Sequence, residues 1–435
     1  MGVYYPHTPS DVAEMLKVVG APDIEALYRD VDPALKCGEL NLAPGKSECD
    51  VRAELKKLAA ENRVYSSVMR GAGAYRHYIP DAVNEVASKS SFLTAYTPYQ
   101  AEMAQGVLQA IFEYQTYIAR ITGMEVANAS MYSGATAAAE AVIQSVKSGG
   151  KLIVARSVRP DTLEVLKTYL SSKNIEIVVL ETPSGVLEAE TLGKAIDSSV
   201  FAVYAEQPSY FGGILDLKAL ATVVHSVGAK FIVGGNPLSY ALLPSPGEAG
   251  ADVAVGDAQP FGIPLSFGGA YVGYYATKKA DVRKMPGRIV GETSDKYGRR
   301  AYVLTLQPRE QHIKRERALS NICSNQALCA LRVTAYLACT GGSGLKRVAL
   351  NCYKNAHFAA AKFTEAGARL KYKGDFFNEF VTVTSGKALK IERAFAENDI
   401  LSGLVLDEDS ILWAFTELNG REDVMKAAKI LEGAI

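Results

Sequence analysis

Three segments of this chain place polar side chains where local backbone geometry would aim them at a ligand. The first is Ala251-Asp252-Val253-Ala254-Val255-Gly256-Asp257-Ala258-Gln259-Pro260-Phe261, an apolar strand leading into a turn and a Gly-rich loop. In large α/β enzymes that work through an aldehyde cofactor, a lysine at the end of such a strand forms the Schiff base that starts the chemistry. Gln259 stands at that place, and no lysine occurs between Lys230 and Lys278. The same residues also read as an ordinary strand and turn. The second segment, Ser130 to Glu140, opens an alanine-rich helix. Free N–H groups around Gly134, with the Ser133 and Thr136 hydroxyls beside them, suit a phosphate. N-capping by Ser133 is the alternative and needs no ligand. The third, Tyr96-Thr97-Pro98-Tyr99-Gln100, is a polar, aromatic entry into a helix expected from about 100 to 122. Pro98 is read there as lying near the helix start, where its missing donor costs nothing. Tyr96 and Tyr99 offer flat apolar area and a hydroxyl to a ligand or partner subunit, or form a core edge.

Two further loops carry candidates. Ser320-Asn321-Ile322-Cys323-Ser324-Asn325-Gln326 either caps the following helix or reaches across a dimer interface to a phosphate in the neighbouring site. Gly71 to Pro80 is a Gly-rich entry to an aromatic cluster with Arg76 and His77, and His77 is assigned no acid–base role.

These segments need a scaffold, and the hydrophobic pattern supplies one. Apolar runs at 151–155, 175–180, 200–204, 230–234, 251–255 and 269–275 alternate with helical stretches such as 161–170 and 217–227. That pattern predicts an α/β domain with a mostly parallel sheet covered on both faces. Before it, Thr8 or Ser10 caps a helix stopped at Gly20, and a second amphipathic helix follows Ser47. After it come helices at 325–336 and 345–366, strands at 379–383 and 411–415, and a closing helix at 421–431. The expected division is a helical arm (1–81), a large α/β domain (82–324) and a small α+β domain (325–435).

Composition excludes several classes. A chain of 435 residues that is 48% hydrophobic buries a large core. Lys+Arg and Asp+Glu both total 47, so no net field favours nucleic acid or an anionic membrane. The most basic run, His312 to Arg317, contains an acid and reads as a solvated helix face. The six cysteines show no Cys-x-x-Cys pair and no histidine at zinc spacing, so they read as reduced thiols and no metal is expected. No signal sequence or membrane span is apparent, which points to the cytoplasm. Nucleophile-elbow, Walker and dinucleotide motifs are absent.

Five motifs in order, Gly71-Ala72-Gly73-Ala74-Tyr75, Thr94 to Gln100, Gln109 to Thr116, Ala127 to Tyr132 and Ser320-Asn321-Ile322-Cys323, together resemble one family across essentially the whole chain. It is the first (alpha) subunit of the split glycine dehydrogenase (decarboxylating), the P-protein of the glycine cleavage system. The resemblance implies the type I pyridoxal-phosphate fold. It also implies a second, lysine-bearing subunit that binds the cofactor covalently in an α2β2 assembly, and transfer of an aminomethyl group from decarboxylated glycine to the lipoyl arm of the H-protein. On this reading Gln259 replaces the Schiff-base lysine, and Ser133, Gly134 and Thr136 are a vestigial phosphate loop. Tyr96 and Tyr99 lie near substrate, and Ser320, Asn321 or Ser324 near the partner's phosphate. Gly234-Gly235-Asn236-Pro237-Leu238 fits the same picture, because it offers no aspartate for a pyridinium nitrogen. Ser133 departs from relatives, which often carry an acidic residue there. The alternatives are a non-catalytic scaffold for a homologous partner, or a self-sufficient lyase using Lys278 or Lys279.

Overall fold

The apolar runs assemble into a seven-stranded sheet: β1 Val126–Ala127, β2 Lys151–Ala155, β3 Glu176–Leu180, β4 Val200–Glu206, β5 Lys230–Gly234, β6 Val253–Asp257 and β7 Gly273–Thr277, in spatial order β1-β7-β6-β5-β4-β2-β3. Strands β2 to β6 pair in parallel, whereas β7 is antiparallel to β6 and to β1. Every residue of β4 is buried, as a strand covered on both faces requires. The helix Gly134–Ser145 packs on this sheet through its alanines, whose small side chains let the helix backbone approach closely. The computed structural model describes residues 6–38, 40–306, 311–318, 320–322 and 325–435.

Three element boundaries differ from the sequence reading for local reasons. The strand expected at 251–255 is Val253–Asp257, because the Asp252 carboxylate is taken up before it by the Phe231 N–H, His225 and Lys278. Pairing of the 269–275 run begins only at Gly273, since Gly268 and Gly269 have φ of 104° and 141°. The helix expected from about 100 is Gln105–Thr122, so Pro98 lies in the loop before it and not at its start. A hairpin of Ile289–Ser294 and Arg300–Thr305 was not foreseen. Its Val290, Tyr302 and Leu304 form a small core with Leu108 and Ile111.

Towards the carboxy terminus, the helical segment Ala327–Glu365 is broken at Gly341 (φ 62°, ψ 173°), which separates the two helices read from sequence. An antiparallel sheet follows, in the order Arg369–Leu370, Glu379–Val383, Ser410–Ala414, Leu404–Asp407. It packs on a second core containing Phe363, Phe395, Trp413 and Phe415, within which the Trp413 indole donates to Thr382 Oγ1 at 2.8 Å.

The chain divides into two compact units, 1–64 and 65–435. In the first, Thr8 caps the helix Pro9–Val19 in a capping box with Asp11, and Ser47 caps Glu48–Ala59. Neither helix buries a residue. The second unit contains Ser67–Val68, which pairs in parallel with Ile400–Leu401. Among the described residues, no helix is long and apolar enough to cross a membrane.

Candidate functional site

Gln259 lies just beyond β6 and is 1% exposed. Its amide oxygen accepts the Tyr75 N–H at 2.9 Å, and its amide nitrogen donates to the carbonyls of Tyr75 (2.9 Å) and Ile263 (2.8 Å). Both donors and the acceptor are therefore spent on backbone, and the side chain ties the Gly-rich entry segment to the sheet. Tyr75 extends the tie to the small sheet. Its hydroxyl donates to Glu379 Oε2 at 2.7 Å, and Glu379 Oε1 accepts the Ala72 N–H at 2.7 Å. Burial pushes the Glu379 carboxyl up to about 7, against the lowering effect of those two donors and Arg159.

A cavity of about 40 Å³ opens at the carboxyl ends of the parallel strands, room for roughly three waters. Arg159, Glu206, Asp257 and Glu379 face it, with Gly73, Tyr75, Gly134, Asn236 and Pro260. Arg159 is held by Asp161 (3.0 and 2.5 Å) and lies 3.6 Å from Asp257 Oδ2. Burial works against its charge, but Asp257, Asp161 and Glu206 raise its pKa overall. Glu206 accepts the Arg159 N–H (2.9 Å) and the Tyr204 hydroxyl (3.0 Å), and burial raises its pKa. Asp257 is likewise raised by burial, against the pull of Arg159 and the Gly134 N–H. Asp161 and Asp257 thus flank the guanidinium, with Glu206 and Glu379 on the same cavity wall.

At Ser133 the structure shows the N-cap: its Oγ accepts the Thr136 N–H at 3.2 Å, and Thr136 Oγ1 accepts the Ser133 N–H at 3.0 Å. Gly134 packs against Asp257. A Cβ there would lie 2.8 Å from the Asp257 nitrogen and 2.9 Å from Oδ2. Asn236 accepts the Leu238 N–H and caps a short turn.

Other sequence candidates lie outside this cavity. Tyr96 is 83% exposed, on the rim of a groove with Leu93, Pro98, Val107 and Leu328. Tyr99 is half-exposed, and its hydroxyl accepts from the buried Arg288 guanidinium at 2.8 Å. Ser320 accepts the Ile322 N–H, and Asn321 donates to the Tyr169 hydroxyl. Ser324 lies outside the described residues. Gln326, at the N-cap of the next helix, makes no side-chain capping bond, and its N–H goes to Ser130 Oγ. His77 is buried and bonded to Glu417 at 2.7 Å, a packed histidine. Lys278 pairs with Asp252 at the opposite end of β6 from Gln259, which removes it as a substitute lysine. Cys37, Cys49, Cys329, Cys339 and Cys352 are free thiols.

Sequence reasoning did not single out Arg159, Asp161, Glu206 or Glu379, and quoted Asp257 without a role. A signal was available. Arg159 follows β2, Glu206 ends β4 and Asp257 ends β6, and the carboxyl ends of strands in an open α/β sheet are where ligands bind.

A family model described as the glycine cleavage system P-protein matches residues 3–431. A probable glycine dehydrogenase (decarboxylating) subunit 1 from Geobacillus sp. (strain WCH70) is 43% identical over 433 residues, covering 97% of this chain and 96% of that relative. A crystal structure of an inhibitor-bound glycine decarboxylase (P-protein) of the glycine cleavage system superposes with a TM-score of 0.93 at 39% identity over 100% of both chains. A C-DES mutant with glycine covalently linked to its PLP cofactor has a TM-score of 0.63 at 13% identity, covering 87% of this chain and 98% of that one, a likeness of fold alone. The fold is thus that of type I pyridoxal-phosphate enzymes. Among the described residues, those at the strand ends do not fit that cofactor: no lysine amine lines the cavity, a carboxylate sits at the helix start, and acids outnumber the one guanidinium.

Proposed function

This chain belongs to the glycine cleavage system P-protein family, and we propose that it is the lysine-less subunit of a two-subunit glycine decarboxylase, working in the cytoplasm. Its partner is a homologous subunit 2 in an α2β2 assembly, whose lysine binds pyridoxal phosphate covalently. That cofactor supplies the electron sink that glycine needs to lose carbon dioxide. The aminomethyl group then passes to the lipoyl disulfide of the H-protein, leaving a reduced arm. The observation that carries this reading is Gln259, whose amide is consumed by three backbone hydrogen bonds at the end of β6.

The chain's own contribution is at the partner's site. Tyr96 and Tyr99 face outward on one loop and are assigned to the substrate side, where their rings exclude water and their hydroxyls orient glycine. Arg288 donates to the Tyr99 oxygen and fixes where that ring sits on the loop. Ser320, Asn321 and Ser324 are assigned to the partner's phosphate. The rival reading, a scaffold that only stabilises its partner, is separated by turnover.

Borohydride reduction with pyridoxal phosphate, followed by peptide mapping, tests the first part on this chain alone and mixed with subunit 2. Labelling confined to subunit 2, with glycine decarboxylation only in the mixture, is the expected result. A specific label on this chain would refute it. Tyr96→Phe and Tyr99→Phe in the assembled enzyme test the second part. A fall of about tenfold in kcat/KM, roughly 1.4 kcal/mol, is expected with assembly intact. Unchanged turnover would favour the scaffold.

A further inference from the structure

We infer that Asp257 is a built-in anion, whose carboxylate occupies a seat at the start of the Gly134–Ser145 helix and beside Arg159 that is otherwise suited to a phosphate monoester. This rests on the reading that the chain holds no cofactor of its own. A twelve-residue helix presents free N–H groups at its start, the arrangement that binds phosphates elsewhere. The capping box consumes the Ser133 and Thr136 donors, while the Gly134 N–H is directed at Asp257. Glycine at 134 is what lets the carboxylate come that close, since a Cβ would meet Asp257 Oδ2 at 2.9 Å. On its other side the same oxygen lies 3.6 Å from the Arg159 guanidinium.

A second observation points to a ligand. Asp257 Oδ1 has no hydrogen-bond partner although the residue is only 8% exposed. Asn236 Nδ2, a donor on the wall of the same cavity, is likewise unpartnered. The donors of the seat are the Gly134 N–H, the Arg159 guanidinium and the Asn236 amide, and the Asp257 carboxylate leaves the last of them unmet. A phosphate has more oxygens to meet them. The acids around the seat are accounted for. Glu206 is bonded to the Arg159 N–H and Tyr204, Glu379 to Ala72 and Tyr75, and Asp161 sits on the outer edge of the guanidinium. Asp257 is the acid between Arg159 and the helix start, so its removal opens both to an external anion.

The probe is inorganic phosphate, titrated into the full-length chain and followed by phosphorus NMR and thermal shift. Asp257→Ser is expected to bind phosphate at least about tenfold more tightly than the unmodified chain, and adding Arg159→Gln is expected to abolish the gain. A folded Asp257→Ser chain that ignores phosphate would overturn the inference, as would binding that survives loss of Arg159. Where Asp257→Ser fails to fold in plain buffer, refolding in phosphate against chloride at matched ionic strength reads the same seat. Recovery in phosphate alone supports the inference, and equal failure in both overturns it. The borohydride experiment on the unmodified chain separates the two levels. A label there refutes the lysine-less reading, whereas a phosphate-blind variant refutes only the built-in anion.

Discussion

Glu379 shows how a single buried acid links stability to pH. Its carboxyl is pushed up to about 7 from an ordinary 4.5, with burial the dominant cause. The folded chain therefore holds this proton where the unfolded chain releases it. The resulting stability is fully present below the unfolded value and is lost as pH rises through about 7, a swing of about 3 kcal/mol. Urea unfolding at pH 5 and pH 8 should show the decline. Glu379→Gln should flatten it, because the amide keeps the shape and never ionises. An unchanged slope would remove Glu379 as its source. Glu140, also pushed to about 7 by burial, adds to the wild-type slope in the same direction.

At the scale of elements, the junction between the Gly134–Ser145 helix and β6 controls the candidate site. Gly134→Ala drives a methyl group against the Asp257 backbone and carboxylate and should cost about 2 kcal/mol, because backbone cannot swing aside as a flexible side chain can. Ser133→Ala removes only a cap and should cost about 1 kcal/mol. Thermal or urea unfolding would rank them, and a Ser133→Ala chain less stable than Gly134→Ala would contradict the packing described. The same junction marks the limit of what the sequence discloses. The strands of the large sheet were legible because both faces are buried and their runs are apolar. The Ile289–Ser294 and Arg300–Thr305 hairpin was not, since its first strand passes from buried Ile289-Val290 to exposed Glu292-Thr293-Ser294 without alternating. Gln259 was legible as a polar residue just past a strand end. Its clasp on Tyr75 was not, because it joins residues 184 positions apart. Arg159, Glu206 and Glu379 became a site only through strand order, which a linear reading does not supply.

Across the whole molecule the two compact units differ in how they are held. Residues 65–435 contain the three buried cores, whereas the helices at 9–19 and 48–59 bury no side chain. Helices this short, without a packed face, are marginal in water. Amide hydrogen exchange in the isolated chain should therefore be fast across 9–59 and slow across β4 and β5. Mixing with subunit 2 should protect 9–59 if the arm helices close on the partner. Rapid exchange in the assembled enzyme would show that they do not.

The hydrogen bonds of Gln259 also bear on repair. An ammonium at this position would bring donors only, orphaning the Tyr75 N–H and burying a charge that the backbone carbonyls alone would have to hold. Gln259→Lys is thus expected to lower the unfolding temperature and gain no reducible adduct with pyridoxal phosphate. Changing residue 259 alone therefore cannot install a working amine while the loop at 71–75 stays clasped to the amide; the loop would have to be rebuilt with it.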